Sequence, residues 1–405
     1  MSKAIKFPIK ESFVLHSILN YLDKAVSLIS PIVILKFLHN NLLYNKIEYI
    51  LSSSIILSVF WDGGLASYYF YGYRISSDRE KYVQEIEADF FALFAAEAFM
   101  SLLVLAAGFA FFSYSILVFA CVLIRANFLS FNNFKFNIYR VRNIPSRIFL
   151  ITISVNLMSL FVFLILYHFN KSQEFFYFVG YLLFQLGFTF VYRREFRFFN
   201  LKNFIKTIKV AFLFAWPLIA NVLVVNIIVN YGKVYTFRHL PPDKMTTISL
   251  LQRFMVIIQL AHTASNAFYL KRIFEEKVPR LEFKIFKMYS AMMLGSVALV
   301  IIAIFLNNTL HIVKPIAFDL TFFLLIIFYI LYCYSGFLGT YFTLFNENMI
   351  RLMGSVVVIV IYFGLLWAIK PTTLLAITII MLVSIIINMG YTVFYLYHKK
   401  VINFP

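Results

Sequence analysis

Several sets of polar side chains recur at helical spacing inside otherwise apolar sequence. His16, Ser17, Asn20, Asp23, Lys24, Ser27 and Ser30 fall at offsets of 0, 1, 4, 7, 8, 11 and 14. They share one helical face, and Val14, Leu15, Ile18, Leu19, Leu22, Val26 and Ile29 cover the rest. Asn226, Asn230 and Lys233 repeat the pattern, as do Ser54, Ser58 and Asp62. Ser249, Gln252, Gln259, Thr263 and Asn266 form a fourth set, with Arg253 and His262 at its edges. Arg125 and Glu97 also lie within apolar runs. Such faces cannot meet acyl chains, because an ionised residue near mid-bilayer costs about 2.5–3.5 kcal/mol even on the gentler insertion scale. Each is therefore either a polar packing seam between helices or the wall of a water-filled cavity.

These residue types bind; nothing in their spacing makes or breaks bonds. Lys24, Arg253, Lys233 and Arg125 need anions once they leave water, supplied by Asp23, Asp62 and Glu97 or by a ligand carrying phosphate. Asp23 and Lys24 are sequence neighbours about 100° apart around a helix, which predicts poor pairing and leaves cationic capacity over. Arg253 and Lys233 lie towards one end of their helices, where snorkelling to the headgroups competes with the cavity reading. Lys24 lies too deep for that. Asp319, just after Pro315, reads as a helix N-cap, and Glu347 falls in a turn. HExxH, GxSxG, Walker A and GxGxxG motifs are absent, the seven histidines are scattered, and no long outer loop is available for an active site. The chain reads as a non-enzyme without cofactor or metal.

The elements that must position these residues follow from composition. Of 405 residues 62% are apolar and 13% charged, against about 45–50% and 25% in soluble domains. That excludes a water-facing globule. With about 20 apolar residues per span, the runs predict twelve helices over 13–38, 47–71, 89–110, 113–131, 148–168, 174–192, 210–238, 246–269, 285–306, 316–345, 350–369 and 372–397. The fold class is an all-α polytopic membrane protein of two six-helix bundles around a central cavity. Residues 1–192 form one bundle and 210–405 the other, with 193–209 between them as an amphipathic cytoplasmic linker. A proline in the first helix of each half, Pro31 and Pro217, marks the two as repeats.

The formal net charge of +18 arises in the gaps between spans. With the N-terminus inside, 25 Lys and Arg fall on inner segments and 7 on outer ones, which places both termini in the cytoplasm and makes the excess topological, with no nucleic-acid partner. Residues 193–209 and 271–287 read as basic segments lying on an anionic leaflet. The N-terminal MSKAIKFPIKESF reads as leading into a first span, without a signal peptide. Cys121 and Cys333 sit inside apolar runs and form no disulfide framework.

The stretch 214–275, from FAWPLIANVL to AFYLKRIFE, resembles the seventh and eighth helices of polysaccharide-export flippases. EYILSSSIILSVFWDGGLASYYF, with Asp62, Gly64 and Leu65, is similar to their second helix and its Asp-x-Gly-Leu turn. The family is the multidrug/oligosaccharidyl-lipid/polysaccharide exporter superfamily, and the branch resembled is the Wzx-type O-antigen flippase. The resemblance implies transfer of an undecaprenyl-diphosphate-linked oligosaccharide from the inner to the outer leaflet of a bacterial cytoplasmic membrane. It further implies coupling to a proton, a sodium ion or the membrane potential, and partnership with the polymerase and glycosyltransferases of the same pathway. Related lipid II flippases carry two further helices and a cationic cavity with basic residues on helices 1, 2 and 8. Lys24 and Arg253 match two of these positions, and the second helix offers only Asp62. The residues themselves then suggest that Lys24 and Arg253 bind the diphosphate, with Lys233 and Arg125 as lesser contributors and Asn20, Asn230 and Gln252 in the same diphosphate and sugar cavity. Asp23, Asp62 and Glu97 couple the cycle. A drug/cation antiporter of the same fold, which calls for an acidic cavity, and a membrane-embedded polymerase or acyltransferase are the rivals.

Overall fold

The computed structural model describes residues 13–38, 40–61, 64–65, 68–69, 72–73, 76–141, 146–169, 174–193, 198–275, 281–345 and 347–402. The chain forms helices α1 (Phe13–Leu38), α2 (Asn41–Trp61), α3 (Arg79–Ala110), α4 (Tyr114–Val141), α5 (Ser146–Phe169) and α6 (Phe176–Val191). The second half supplies α7 (Leu201–His239), α8 (Pro242–Glu275), α9 (Phe283–Leu310), α10 (Leu320–Leu344), α11 (Asn348–Ile369) and α12 (Leu374–His398). Among the described residues there is no strand.

Nine of these helices are long and apolar enough to cross a membrane. The other three fail for different reasons. The described α6 has 16 residues and is too short, whereas α2 and α8 have the length but too many polar side chains. A polar helix is tolerated in a membrane protein only where neighbours cover it. Both are second helices of their halves, and both lie where the halves meet.

Helix starts follow local chemistry. Asp78, Asn200, Asp319 and Thr373 each cap a helix by accepting from backbone N–H groups of the first turn, and Asp319 does so from Phe322 at 2.9 Å, as its sequence position predicts. In the first half α1 packs on α5, α2 on α4, and α4 and α5 on α6. The second half repeats this as α7 on α11, α8 on α10, and α10 and α11 on α12. Two six-helix bundles result, alike in these pairings and different at their third helices, since α3 packs on α4 and α6 whereas α9 packs on α8.

Several bounds differ from the sequence reading: α3 begins at Arg79 and not at 89, α4 runs to Val141 and not to 131, and two further differences bear on how the halves meet. The second helix, expected to run to 71, ends at Trp61, and Gly64 sits in the left-handed region at φ 87°. A Cβ there would stand 2.7 Å from the Cβ of Ala215 on α7, so the chain turns and presses against the other half at a point only glycine allows. The expected linker is partly absorbed. From Leu201 onward it is continuous with α7, capped by Asn200, because its apolar residues at helical spacing extend the following span without a breaker. At about 1.5 Å per residue its 39 residues exceed the hydrocarbon thickness, so its exposed basic start projects beyond it.

Candidate functional site

Helices α1 and α2 of the first half meet α7 and α8 of the second, and these are the four polar-faced helices of the sequence. At their junction Glu48 of α2 is fully buried. It pairs with Lys233 of α7 at 3.5 Å and with the Arg253 guanidinium of α8. Lys233 lies six residues before the end of α7 and Arg253 eleven after the start of α8, about 9 and 16 Å along the helix axes. Neither snorkels; both turn inward because a buried carboxylate is available between the bundles.

The pairing is one node of a longer network. Arg253 Nη1 donates to the Ser27 carbonyl of α1 at 3.2 Å, and the Ser27 hydroxyl accepts from Asn156 of α5 at 2.9 Å. Asn156 accepts in turn from the Tyr181 hydroxyl of α6 at 2.5 Å, and the Arg125 guanidinium of α4 lies over the Tyr181 ring, 4.5 Å from its centroid. Polar contact therefore runs unbroken from α8 through α1 to α4. Where α7 passes into α8, Asn45 donates to the Pro242 carbonyl at 2.9 Å, Thr246 donates to Asn45 at 3.0 Å, and Arg238 donates to the Tyr49 hydroxyl at 3.1 Å. These bonds tie the two halves together at that end.

On α1 the polar stripe is the covered face. Asn20, Asp23 and Ser30 are buried while Leu15, Ile18 and Leu22 are exposed. Lys24 stands at the edge of the stripe, its side chain 41% exposed, with Nζ 3.5 Å from Asp23 Oδ2. The predicted divergence of the two is thus overcome: the lysine stem is long enough to bend back, and a buried carboxylate rewards it. Asp23 also lies in the field of Arg125. The Asn20 amide has no hydrogen-bond partner among the described residues.

The remaining sequence candidates distribute unevenly. Gln252 bridges α8 to α7 by donating to the Val229 carbonyl at 3.3 Å. Asn230 donates to its own helix, at the Asn226 carbonyl. Ser54 and Ser58 do the same on α2, at Ile50 and Ile55. Glu97 is buried inside the first bundle, 2.8 Å from the amide nitrogen of Asn127 when that amide is oriented to donate. Asp62 and the side chains of His16 and Ser17 lie outside the described residues. No group of three or more His, Cys, Asp or Glu able to hold a metal occurs among the described residues.

Sequence reasoning missed Glu48. Its signal is present: Asn45, Glu48 and Ser52 occupy one face of α2 at i, i+3 and i+7, and all three are 1% exposed. The second span was read as starting at 47, which left Asn45 outside it and hid the stripe. Asn156 and Tyr181 stood alone in their helices and gave no pattern. Arg351 was counted as a loop charge, and it lines a cavity of about 200 Å³ inside the second bundle with Asn221, Asn226, His262 and Ser335.

No family model matches the chain, and no curated protein matches it in sequence. Solved structures match its fold. An inward-facing multidrug resistance MATE family transporter of the MOP superfamily is 14% identical with a TM-score of 0.57, over 95% of each chain. The lipid II flippase MurJ in an inward closed conformation is 16% identical with a TM-score of 0.57, over 95% of this chain and 87% of that one. MATE in complex with Br-NRF is 15% identical with a TM-score of 0.53, over 96% and 97%. The shared feature is the twelve-helix, two-bundle fold.

Proposed function

We propose that this protein is a flippase for an anionic lipid-linked saccharide, of the undecaprenyl-diphosphate class that carries O-antigen or related repeat units, moving it from the inner to the outer leaflet of a bacterial cytoplasmic membrane. One observation carries the reading: among the described residues, the polar network that joins the halves holds four cations, Lys24, Lys233, Arg253 and, behind them over the Tyr181 ring, Arg125, against two carboxylates, Asp23 and Glu48. If all are ionised, two positive charges are left over, the complement of a diphosphate diester with its two ionised oxygens. Guanidinium groups suit this ligand because they pair two oxygens at once.

Each junction residue then has a task. Lys24, partly exposed and only loosely paired, meets the diphosphate first, and Asn20 and Gln252 offer hydrogen bonds to sugar hydroxyls. Glu48 holds Lys233 and Arg253 while the site is empty, so that two buried cations are never left bare. A diphosphate reaching them displaces the carboxylate, loosens the tie between α2, α7 and α8, and lets the bundles rock to expose the site on the other side. Asp23 and Glu48 reset the empty state. A cationic drug would meet net repulsion in the same place.

Complementation of a bacterial strain lacking its own oligosaccharide-lipid flippase, scored by surface glycan, tests the reading. The wild-type chain restores glycan, and Lys24→Ala loses it while reaching the membrane in normal amount. Normal glycan in Lys24→Ala removes Lys24 from the site. Drug resistance without glycan in the wild type replaces the reading with cation antiport.

A further inference from the structure

The second bundle contains a cation that the junction does not use. Arg351, one turn into α11, lines the cavity of about 200 Å³ together with residues of α7, α8 and α10. No carboxylate is among the lining residues, and the Arg351 side chain has neither an ion pair nor a hydrogen bond among the described residues. Its guanidinium packs over Gly339, where a Cβ would come within 2.2 Å of it, so the backbone of α10 makes room for the group.

Of the five neutral polar groups around it, the Asn226 amide and the Tyr332 hydroxyl can each donate or accept, and the other three lean towards an anion. Asn221 is buried, its oxygen accepts from the Ser355 hydroxyl, and its Nδ2 has no acceptor among the described residues. The Ser335 oxygen already accepts from Asn388 Nδ2 at 2.9 Å, which leaves its own proton to donate. His262 has both ring nitrogens engaged, Nδ1 with the Tyr289 hydroxyl at 2.6 Å and Nε2 with Asn266 at 2.9 Å, so it adds no competing acceptor. A guanidinium, an amide N–H₂ and a hydroxyl thus share one cavity without a carboxylate, and of these the buried Asn221 Nδ2 has no acceptor among the described residues, which is costly.

We propose that this cavity is a binding site for a small inorganic anion, halide or phosphate, separate from the junction between the halves. At about 30 Å³ per water, a volume of about 200 Å³ has room for a hydrated halide or one phosphate. Every lining helix belongs to the second bundle, so the anion moves with that bundle and sets its charge.

The test uses the full chain purified in detergent with sodium gluconate, then titrated with chloride, bromide or inorganic phosphate at constant ionic strength while the unfolding temperature is read. Wild type shows a saturable rise with chloride and bromide or with phosphate, and which of them saturates identifies the ligand. Arg351→Gln weakens the midpoint by roughly tenfold or more, the loss of one charge-assisted contact. Asn221→Asp puts a carboxylate in the cavity as a built-in counter-ion. It folds without added anion, is more stable than wild type in gluconate, and does not respond. Lys24→Ala keeps the full response. Bromide-soaked crystals give an anomalous peak between Arg351 and Asn221. A wild type without a saturable response, an unchanged midpoint in both cavity variants, or loss of the response in Lys24→Ala overturns the site.

Discussion

Arg253 and Arg351 are both arginines facing the protein interior, and the second half treats them in opposite ways. Arg253 reaches across to the first half and finds Glu48, Ser27 and, beyond them, Asn156 and Tyr181. Arg351 stays within its own bundle and finds neutral polar side chains and no carboxylate. A buried cation matched by a carboxylate on another body is a latch, since separating the bodies costs the pairing. One with no match in its own body is a receptor, since only a ligand can complete it. Fold repetition does not produce this contrast, because the helix pairings that place the two arginines recur in both halves.

The substitution that breaks the contrast most sharply is Glu48→Gln. It leaves Lys233 and Arg253 buried without their carboxylate, and breaking a buried pair in this way costs about 3–5 kcal/mol. The latch becomes a second receptor: thermal unfolding in detergent shifts down strongly, and inorganic phosphate or pyrophosphate restores part of the loss. Adding Lys233→Met removes one of the two orphaned cations and recovers some stability without phosphate. If Glu48→Gln unfolds at the wild-type temperature, the triad does not hold the halves together.

Asn156→Ala is a milder break. It removes the bridge between Ser27 and Tyr181 and leaves the buried Tyr181 hydroxyl without its acceptor, at a cost of about 1–3 kcal/mol. Because Glu48 remains, phosphate brings no recovery. That difference from Glu48→Gln separates loss of charge pairing from loss of hydrogen bonding, and a phosphate rescue of Asn156→Ala would collapse the distinction.

How much of this was legible in the sequence depends on whether a residue belongs to a repeat. Periodicity exposed the stripes on α1, α7 and α8, and the structure places those helices together at the junction. It also gave twelve helices and their order, since apolar runs of span length have few other uses. Solitary residues are invisible: Asn156 and Tyr181 acquire meaning only from partners 25 or more positions away in the chain, and Arg351 only from lining residues on other helices. The pairing of Lys24 with Asp23 was misjudged because backbone angles were weighed and side-chain reach was not. Charge counting hid Arg351 among loop residues, although one turn of helix suffices to carry it from the boundary into the bundle.

A third cation completes the series, paired like Arg253 but in water. Lys399, just past α12, reaches Glu347 between α10 and α11 at 2.8 Å, and Tyr395 donates to the same carboxylate at 2.5 Å. Burial pushes the Glu347 carboxyl up slightly, but the hydrogen bonds from Lys399 and Tyr395 outweigh it and hold it below its ordinary value of 4.5. The Glu347 hydrogen bond and charge hold Lys399 above its ordinary value of 10.5. A depressed carboxylate stabilises fully above its unfolded value and loses that contribution as pH falls through the lowered one. A raised lysine stabilises fully below its unfolded value and loses it as pH rises through the raised one. The pair therefore acts across the range between and fades at both extremes. Solvent screens it, so Glu347→Gln lowers the unfolding temperature least of the three substitutions, and added salt shrinks the difference further. The effect is present at pH 7 and vanishes well below pH 4.5. A Glu347→Gln loss as large as that of Glu48→Gln, or one that persists in acid, would mean that burial is not what separates a latch from a surface pair in this protein.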